Sequence, residues 1–236
     1  IKDYNYHLPE ENIAQFPPEK RGGSKILLAH QKPFSIAGFE ELKQFIPNNS
    51  LLIFNETKVI PARLVFSKST GARIEIFLLH PEGNTDYQLA LASKHSCSWN
   101  ALIGNAAKWK TGDLSIQFHK ADGTMGTLTA GRKDAQTVLF SWNSDMLFSE
   151  VLALLARVPL PPYIHRDTVD EDRDRYQTVF ARNEGSVAAP TAGLHFTENQ
   201  LQELSLNGIT QVALTLHVGL GTFRPVKGNI ADHEMH

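Results

Sequence analysis

Apolar positions change their period along the chain, and each change predicts a different kind of element. Ile26-Leu27-Leu28 is a short apolar run of the length of a buried strand. Phe39, Leu42 and Phe45/Ile46 recur at helical spacing, which predicts an amphipathic helix over 39–46, broken by Pro47-Asn48-Asn49-Ser50. Leu51-Leu52-Ile53-Phe54 predicts a second buried strand, ending at Asn55-Glu56-Thr57.

From residue 59 to 142 the pattern shifts to short β-prone runs: Val59–Phe66, Ala72–Leu79, Tyr87–Ala92, Trp99–Gly104, Leu114–Phe118, Thr124–Thr129 and Gln136–Trp142. Turn residues separate several of them, as in Ser69-Thr70-Gly71, Thr111-Gly112-Asp113 and Ala121-Asp122-Gly123. Strands at this spacing predict a small antiparallel barrel, whose closure removes exposed edges.

After Trp142 the mixed pattern returns. A helix is expected over 145–157, capped by Ser144 and ended by Pro159-Leu160-Pro161-Pro162. Asp167–Asp174 is charge-rich and reads as an exposed loop. Thr197-Glu198-Asn199-Gln200 matches a capping box, opening a helix with Leu201 and Leu204 on one face and Asn207-Gly208 at its end. Val212, Leu214, Leu216 and Val218 then alternate with Ala213, Thr215 and His217, which predicts a strand. The fold class expected is α/β: a mixed α/β body (1–62 and 145–236) with an inserted small antiparallel β-barrel domain (63–144).

Composition narrows the class of protein. Hydrophobic residues make up 42% and charged residues 20% of the 236, as in a globular chain. No run approaches the roughly 18 apolar residues of a membrane helix, and the start has no signal-peptide pattern. The first residue is Ile1 rather than Met, so a trimmed start is expected. Cys97 is the only cysteine, which excludes internal disulfides and fits a reducing, cytoplasmic setting. It also excludes cysteine-ligated zinc ribbons, iron–sulfur clusters and zinc base-deaminases. Cys97 reads as a buried or bystander thiol, with only His95 near it in sequence. The net charge of −2 is not that of a protein that binds nucleic acid over its whole surface. Between Asn105 and Lys133 five basic residues stand against two acidic ones, so both a solvated face and a phosphate-contacting one stay open there.

Candidate chemistry gathers late in the chain. Gly185-Ser186-Val187-Ala188-Ala189-Pro190-Thr191-Ala192-Gly193-Leu194-His195-Phe196-Thr197 is built of small residues and leads into a helix start. Small residues let a ligand approach the backbone, and a helix start favours anionic groups. In Thr215–Val226, His217 lies near the predicted end of a strand, where ligands gather in open α/β sheets. Gly219-Leu220-Gly221 is no dinucleotide fingerprint, because Thr222-Phe223-Arg224-Pro225 follows in place of a third glycine and a helix. Asp232-His233-Glu234-Met235-His236 resembles a metal site but lacks the His-Glu-x-x-His spacing, and no metal is expected. Four of the ten histidines fall in the last 42 residues, and an imidazole with a pKa near 6.5 suits proton transfer at neutral pH.

The same stretches resemble one family along nearly the whole chain. Gly185–Thr197 (GSVAAPTAGLHFT) and Leu216–Val226 (LHVGLGTFRPV) are the most specific. Phe54–Leu64 (FNETKVIPARL), Pro159–Ile164 (PLPPYI), Arg175–Ala181 (RYQTVFA) and His233–His236 (HEMH) support them. In this order they resemble the S-adenosylmethionine:tRNA ribosyltransferase-isomerases of queuosine biosynthesis. The resemblance implies an α/β domain with an inserted barrel and no cofactor, S-adenosylmethionine being consumed as co-substrate. It implies transfer and isomerisation of the ribosyl moiety onto the 7-aminomethyl group of a 7-deazaguanine in the tRNA anticodon. Epoxyqueuosine-tRNA would form, and adenine and methionine would leave. The partners expected are that tRNA and S-adenosylmethionine, with no membrane, and the expected form is a monomer.

Catalysis on this reading falls to His195 and His217 as candidate bases, with Tyr163, Thr191 and Glu234 orienting groups or relaying protons. Asn55, Pro190, Gly193, Gly219, Gly221 and Thr222 are expected at the substrate, and Arg63 and Arg224 at the methionine carboxylate or a tRNA phosphate. The resemblance departs at Ser24-Lys25, where the family usually has Ser-Arg, and over Ser93–Asp113, which lacks the usual basic, Pro-containing pattern. A divergent paralogue acting on another nucleoside ligand and a non-catalytic tRNA-binding relative therefore stay open beside the enzyme. Family members usually continue past the stretch matching His233–His236, so a C-terminally incomplete α/β body with weak or no activity is expected.

Overall fold

The computed structural model describes residues 5–29, 32–84, 86–161 and 163–219. Strands β1 (Lys25–Leu28) and β2 (Ser35–Gly38) form an antiparallel hairpin, and a 3₁₀ turn over Phe39–Gln44 stands where the apolar spacing predicts a longer helix. Strand β3 (Leu51–Asn55) continues past Glu56 into β4 (Thr57–Val59). Ile60-Pro61-Ala62 then separates β4 from β5 (Arg63–Ser67), so the predicted run Val59–Phe66 is two elements.

The β-rich stretch builds one six-stranded sheet. It comprises β5, β6 (Arg73–Pro81), β7 (Ser96–Gly104), β8 (Leu114–His119), β9 (Met125–Arg132) and β10 (Thr137–Trp142). All neighbours are antiparallel, in the order β5-β6-β7-β10-β9-β8. Outer strands β5 and β8 come back into contact, which nearly closes the sheet into a barrel. Period-2 alternation sends Leu64 and Phe66, Ile74, Ile76 and Leu78, Leu128 and Ala130, and Val138, Phe140 and Trp142 into a single core with Trp99 and Trp109. Each large side chain buried there stabilises the fold by about 1.5–3 kcal/mol relative to exposure.

One run in this region is a helix. Residues Tyr87–Leu91 form α1, because the Asp86 carboxylate accepts from the amides of Gln88 and Leu89 and so caps a helix start. Alternation of Tyr87, Leu89 and Leu91 misleads here, since Leu89 is exposed while the adjacent pair Ala90-Leu91 is buried.

Helix α2 (Phe148–Leu155) starts later than expected and is not capped by Ser144. Glu150 reaches back instead, its Oε2 accepting from the Leu147 amide at 2.7 Å. Phe148, Val151 and Leu152 pack this helix into the barrel core. The charge-rich stretch is not all loop. Asp172–Arg175 forms α3, and Asp172 is only 4% exposed. Strand β11 (Asn183–Ser186) runs parallel to β4. Helix α4 (Glu198–Leu206) opens with the predicted capping box between Thr197 and Gln200 and buries Leu204. Strand β12 (Thr210–Leu214) runs parallel to β3. No helix among the described residues is long and apolar enough to cross a membrane.

Candidate functional site

Residues 185–197 and 215–219, from the two candidate stretches, fold against β3 and β4. The predicted strand over 212–218 ends at Leu214, whose carbonyl accepts the last ladder bond, from the Glu56 amide at 2.8 Å. Past Glu56 the β3–β4 segment pairs with β11 instead, so side chains take over the pairing of 215–219. Asn55 imitates a neighbouring strand: its Nδ2 donates to the Leu216 carbonyl at 2.9 Å, and its Oδ1 accepts from the Leu216 amide at 3.0 Å. The same Oδ1 accepts from the Thr57 amide at 3.1 Å. Val218 is fixed on the far side, its amide donating to Ser186 Oγ at 2.8 Å and its carbonyl accepting from the Val187 amide at 3.0 Å.

His217 is therefore held from both flanks. Its Nδ1 lies 2.8 Å from Thr57 Oγ1, and Thr57 is fully buried. The imidazole rests on Gly185, where an added Cβ would stand 2.7 Å from His217 Cε1. That approach, and the φ of 149°, need a residue without a side chain. The Tyr87 ring of α1 stands beside the imidazole at 5.5 Å between centroids. Desolvation by burial lowers the His217 pKa below its ordinary value, against a smaller opposing pull from the Asp86 charge.

His195 closes a 3₁₀ turn over Thr191–His195 and is tethered in the same way, its Nδ1 2.8 Å from Ser24 Oγ. The Phe39 ring covers it at 5.4 Å. Arg21 braces the turn from behind, donating to the carbonyls of Leu194 at 3.0 Å, Gln177 at 2.8 Å and Asp174 at 2.7 Å. Burial lowers the His195 pKa, and the positive charge of Arg21 lowers it further. Both imidazoles are thus biased toward the neutral form.

His195 opens into a cavity of about 360 Å³ between residues 14–24 and the walls supplied by 160–176 and 191–195. Phe16, Leu160, Pro161, Ile164 and Leu194 make its apolar surface, with Tyr163, Thr191 and Tyr176 beside them. Burial pushes the Tyr176 phenol up to about 12, so it stays protonated.

The sequence-predicted residues thus divide. Tyr163, Thr191 and His195 share the cavity, whereas Asn55 and His217 sit together over β4 and are not among its walls. Pro190 accepts from the Gly193 amide at 2.8 Å, and Gly193 is pressed on Phe180, whose Cζ would lie 2.8 Å from an added Cβ. Arg63 lies in β5 and is engaged by Glu75 through Nε at 3.3 Å and Nη2 at 2.9 Å. Gly219 is exposed, and among the described residues no atom lies within 4 Å of an added Cβ. Gly221, Thr222, Arg224 and Glu234, with the Asp232–His236 group, lie outside the described residues. Among the described residues no three His, Cys, Asp or Glu side chains gather as a metal site. Sequence reasoning gave no role to Thr57 or Arg21 and met Ser24 only in the Ser24-Lys25 departure from the family pattern. Thr57 stands as a polar residue at a position that alternation assigns to the interior with Val59.

The sequence model of a family described as queuosine biosynthesis protein matches residues 1–236. A protein of Syntrophotalea carbinolica named S-adenosylmethionine:tRNA ribosyltransferase-isomerase is 40% identical over 240 residues, covering 100% of this chain and 66% of that protein. One of the same name from Halothermothrix orenii is 40% identical, covering 100% of this chain and 65% of its own. This chain thus spans about two thirds of the length of the curated relatives it matches. The crystal structure of S-adenosylmethionine tRNA ribosyltransferase from Thermotoga maritima is 24% identical, with a TM-score of 0.34 over 92% of this chain and 58% of that one. On the family match over residues 1–236, the chain belongs to the queuosine biosynthesis protein family.

Proposed function

We propose that the protein is an S-adenosylmethionine:tRNA ribosyltransferase-isomerase. It moves the ribosyl moiety of S-adenosylmethionine onto the 7-aminomethyl group of a 7-deazaguanine in tRNA, giving epoxyqueuosine-tRNA, adenine and methionine. It works as a monomer in the cytoplasm, with residues 63–144 as a barrel domain inserted into an α/β domain made of 1–62 and 145–236.

One observation carries this reading. Two imidazoles are each tethered through Nδ1 by a hydroxyl, leaving Nε2 without a partner among the described residues, and both are less basic than usual. A neutral imidazole whose Nδ1–H is held by an acceptor presents a lone pair on Nε2 and acts as a general base. The sulfonium of S-adenosylmethionine acidifies the C5′ hydrogens, and removal of one needs such a base. Adenine then leaves with protonation or hydrogen bonding, and the primary amine attacks C1′. His217 and His195 are the two candidates for the base that takes the C5′ proton, and Tyr163 and Thr191 orient groups or relay protons. Glu234 relays protons, and Asn55, Pro190, Gly193, Gly219, Gly221 and Thr222 shape the substrate site. Arg63 and Arg224 hold the carboxylate or a tRNA phosphate.

The test follows adenine release from S-adenosylmethionine with tRNA bearing the 7-aminomethyl-7-deazaguanine. His217→Ala should lower turnover by about 10²–10⁴-fold, the range of a general base. Near-wild-type turnover in a folded variant removes His217 from the chemistry. Binding of both substrates by the unmodified protein without any release points to a non-catalytic tRNA-binding protein, and release only with another acceptor points to a different nucleoside substrate.

A further inference from the structure

We propose that Arg21 is a positioning residue for His195: its guanidinium fixes the turn that ends in the imidazole and keeps an uncompensated positive charge behind it. The proposal rests on the reading above only in taking His195 as a candidate base.

One segment grips His195 at two points. Ser24 Oγ lies 2.8 Å from His195 Nδ1. Three residues earlier, Arg21 Nη1 donates at 3.0 Å to the carbonyl of Leu194, the residue before the imidazole. Gly22 between them has a φ of 87°, which turns the chain so that both side chains meet the same 3₁₀ turn. An added Cβ there would stand 3.2 Å from Thr197 Cγ2.

The rest of the guanidinium is anchored as well. Nη1 also donates to the Gln177 carbonyl at 2.8 Å, and Nη2 to the Asp174 carbonyl at 2.7 Å. Gln177 is itself fastened to β4, its Oε1 accepting from the Val59 amide at 3.0 Å and its Nε2 donating to the Val59 carbonyl at 2.7 Å. A planar guanidinium spanning three carbonyls has little freedom left, and a Lys ammonium cannot reproduce that fork.

All three acceptors are neutral, so the Arg21 charge is not cancelled where it sits. Elsewhere on the shared wall, Arg166 is paired with Asp172, and Arg175 donates to the carbonyls of Pro18 and Glu19. Tyr163 and Tyr176 are the other titratable groups there. On the turn that carries Phe39, Glu41 accepts from the Gly38 amide and Lys43 pairs with Glu203. Glu40 on that turn, Lys25 beside Ser24 and Glu198 at the start of α4 are exposed to screening water. Arg21 is the charge that shifts the His195 imidazole, in the same direction as burial. His217 is an internal control, because its own shift comes from burial and Asp86.

NMR titration of the imidazole Cε1 protons in the parent, Arg21→Gln and Arg21→Lys tests this, with tRNA-dependent adenine release measured at pH 6 and pH 8. Arg21→Gln removes the charge and the fork, whereas Arg21→Lys keeps the charge alone. In Arg21→Gln the His195 midpoint should rise while that of His217 stays as in the parent. Its kcat should fall about tenfold, with KM within about twofold of the parent. The loss should be larger at pH 6, where a raised midpoint leaves more of the ring protonated. Arg21→Lys should keep the parent midpoint and recover part of kcat. The proposal is overturned if the His195 midpoint in folded Arg21→Gln matches the parent, if both histidine midpoints rise together, or if kcat falls equally at the two pH values. Should Arg21→Gln not fold, Arg21→Lys decides: a reduced kcat at the parent midpoint supports the proposal, and a parent-like kcat or a raised midpoint ends it. Adenine release by the parent with no midpoint shift in Arg21→Gln sinks the role of Arg21 and leaves the proposed function standing. A His195 midpoint raised in Arg21→Gln alone, with no release by the parent, keeps the placement of His195 by Arg21 and sinks the function.

Discussion

Thr57 Oγ1 and His217 Nδ1 stand 2.8 Å apart across 160 residues of sequence. Thr57 is fully buried and cannot turn to water, so its hydroxyl fixes one edge of the imidazole while Gly185 supports its face. Thr57→Val keeps the shape and removes the hydrogen bond. Activity should fall about tenfold, as for the loss of one orienting hydrogen bond, and Thr57→Ser should restore most of it. Steady-state kcat/KM for the three proteins checks this. An unchanged value in Thr57→Val would show that the ring needs no hydroxyl to hold it.

The pKa values of His195 and His217 both lie below the ordinary 6.5, burial being the larger cause in each. A base must be neutral, so kcat/KM should rise with pH through a midpoint below 6.5 and level off above it. The folded state binds these protons less readily than the unfolded chain does. Their contribution to stability is therefore present above about 6.5 and lost as pH falls through the lowered folded values. Titration of the imidazole Cε1 protons by NMR checks the direction, and a midpoint above 6.5 for both rings would contradict it.

The barrel was legible because its core alternates strictly: Ile74, Ile76 and Leu78 face inward while Glu75 and Phe77 between them stay more exposed. Alternation failed at Tyr87–Leu91, where a cap by Asp86 outweighs a five-residue pattern. It failed again after Leu214, where side chains of Asn55, Thr57 and Ser186 replace a ladder. The candidate histidines were legible from their stretches. Their anchors were not, because Ser24 and Thr57 lie 171 and 160 residues away and hydroxyls carry no pattern of their own.

Asn55 was expected at the substrate, and its carboxamide is occupied by the Leu216 peptide and the Thr57 amide. Asn55→Leu is near in size and cannot pair with that peptide. The cost should be about 1–3 kcal/mol for the lost pairing. Hydrogen exchange at the amides of Leu216 and Val218 should quicken together. Exchange that stays as slow as in the parent would mean that Ser186 alone holds the segment.

Burial pushes the Cys97 thiol up to about 12, against a smaller opposing effect of the Trp99 indole N–H. The thiolate is the reactive form, so iodoacetamide at pH 8 should modify the folded protein far more slowly than the same protein in denaturant. Mass spectrometry over a time course reads this directly. Equal rates would place the thiol in contact with water.

Asp172 is 4% exposed and pairs with Arg166 through two contacts of 2.7 Å, while its Oδ2 also accepts from the Val169 amide at 2.9 Å. Burial alone would raise its pKa, and the hydrogen bonds from Arg166 and Val169 outweigh burial and hold it below the usual carboxylate range. The resulting stability is present above about 3.9 and lost as pH falls through the lower folded value. Asp172→Asn leaves the guanidinium without its countercharge in a mostly buried position, and should cost about 3–5 kcal/mol in urea unfolding. Arg166→Met with Asp172→Leu removes both charges and should recover part of that loss. Recovery stays partial because Arg166 also holds the Gln15 carbonyl and covers the Phe16 ring at 4.1 Å. If the double variant were no more stable than Asp172→Asn, the cost would lie in those contacts to the 14–24 segment rather than in an uncompensated charge.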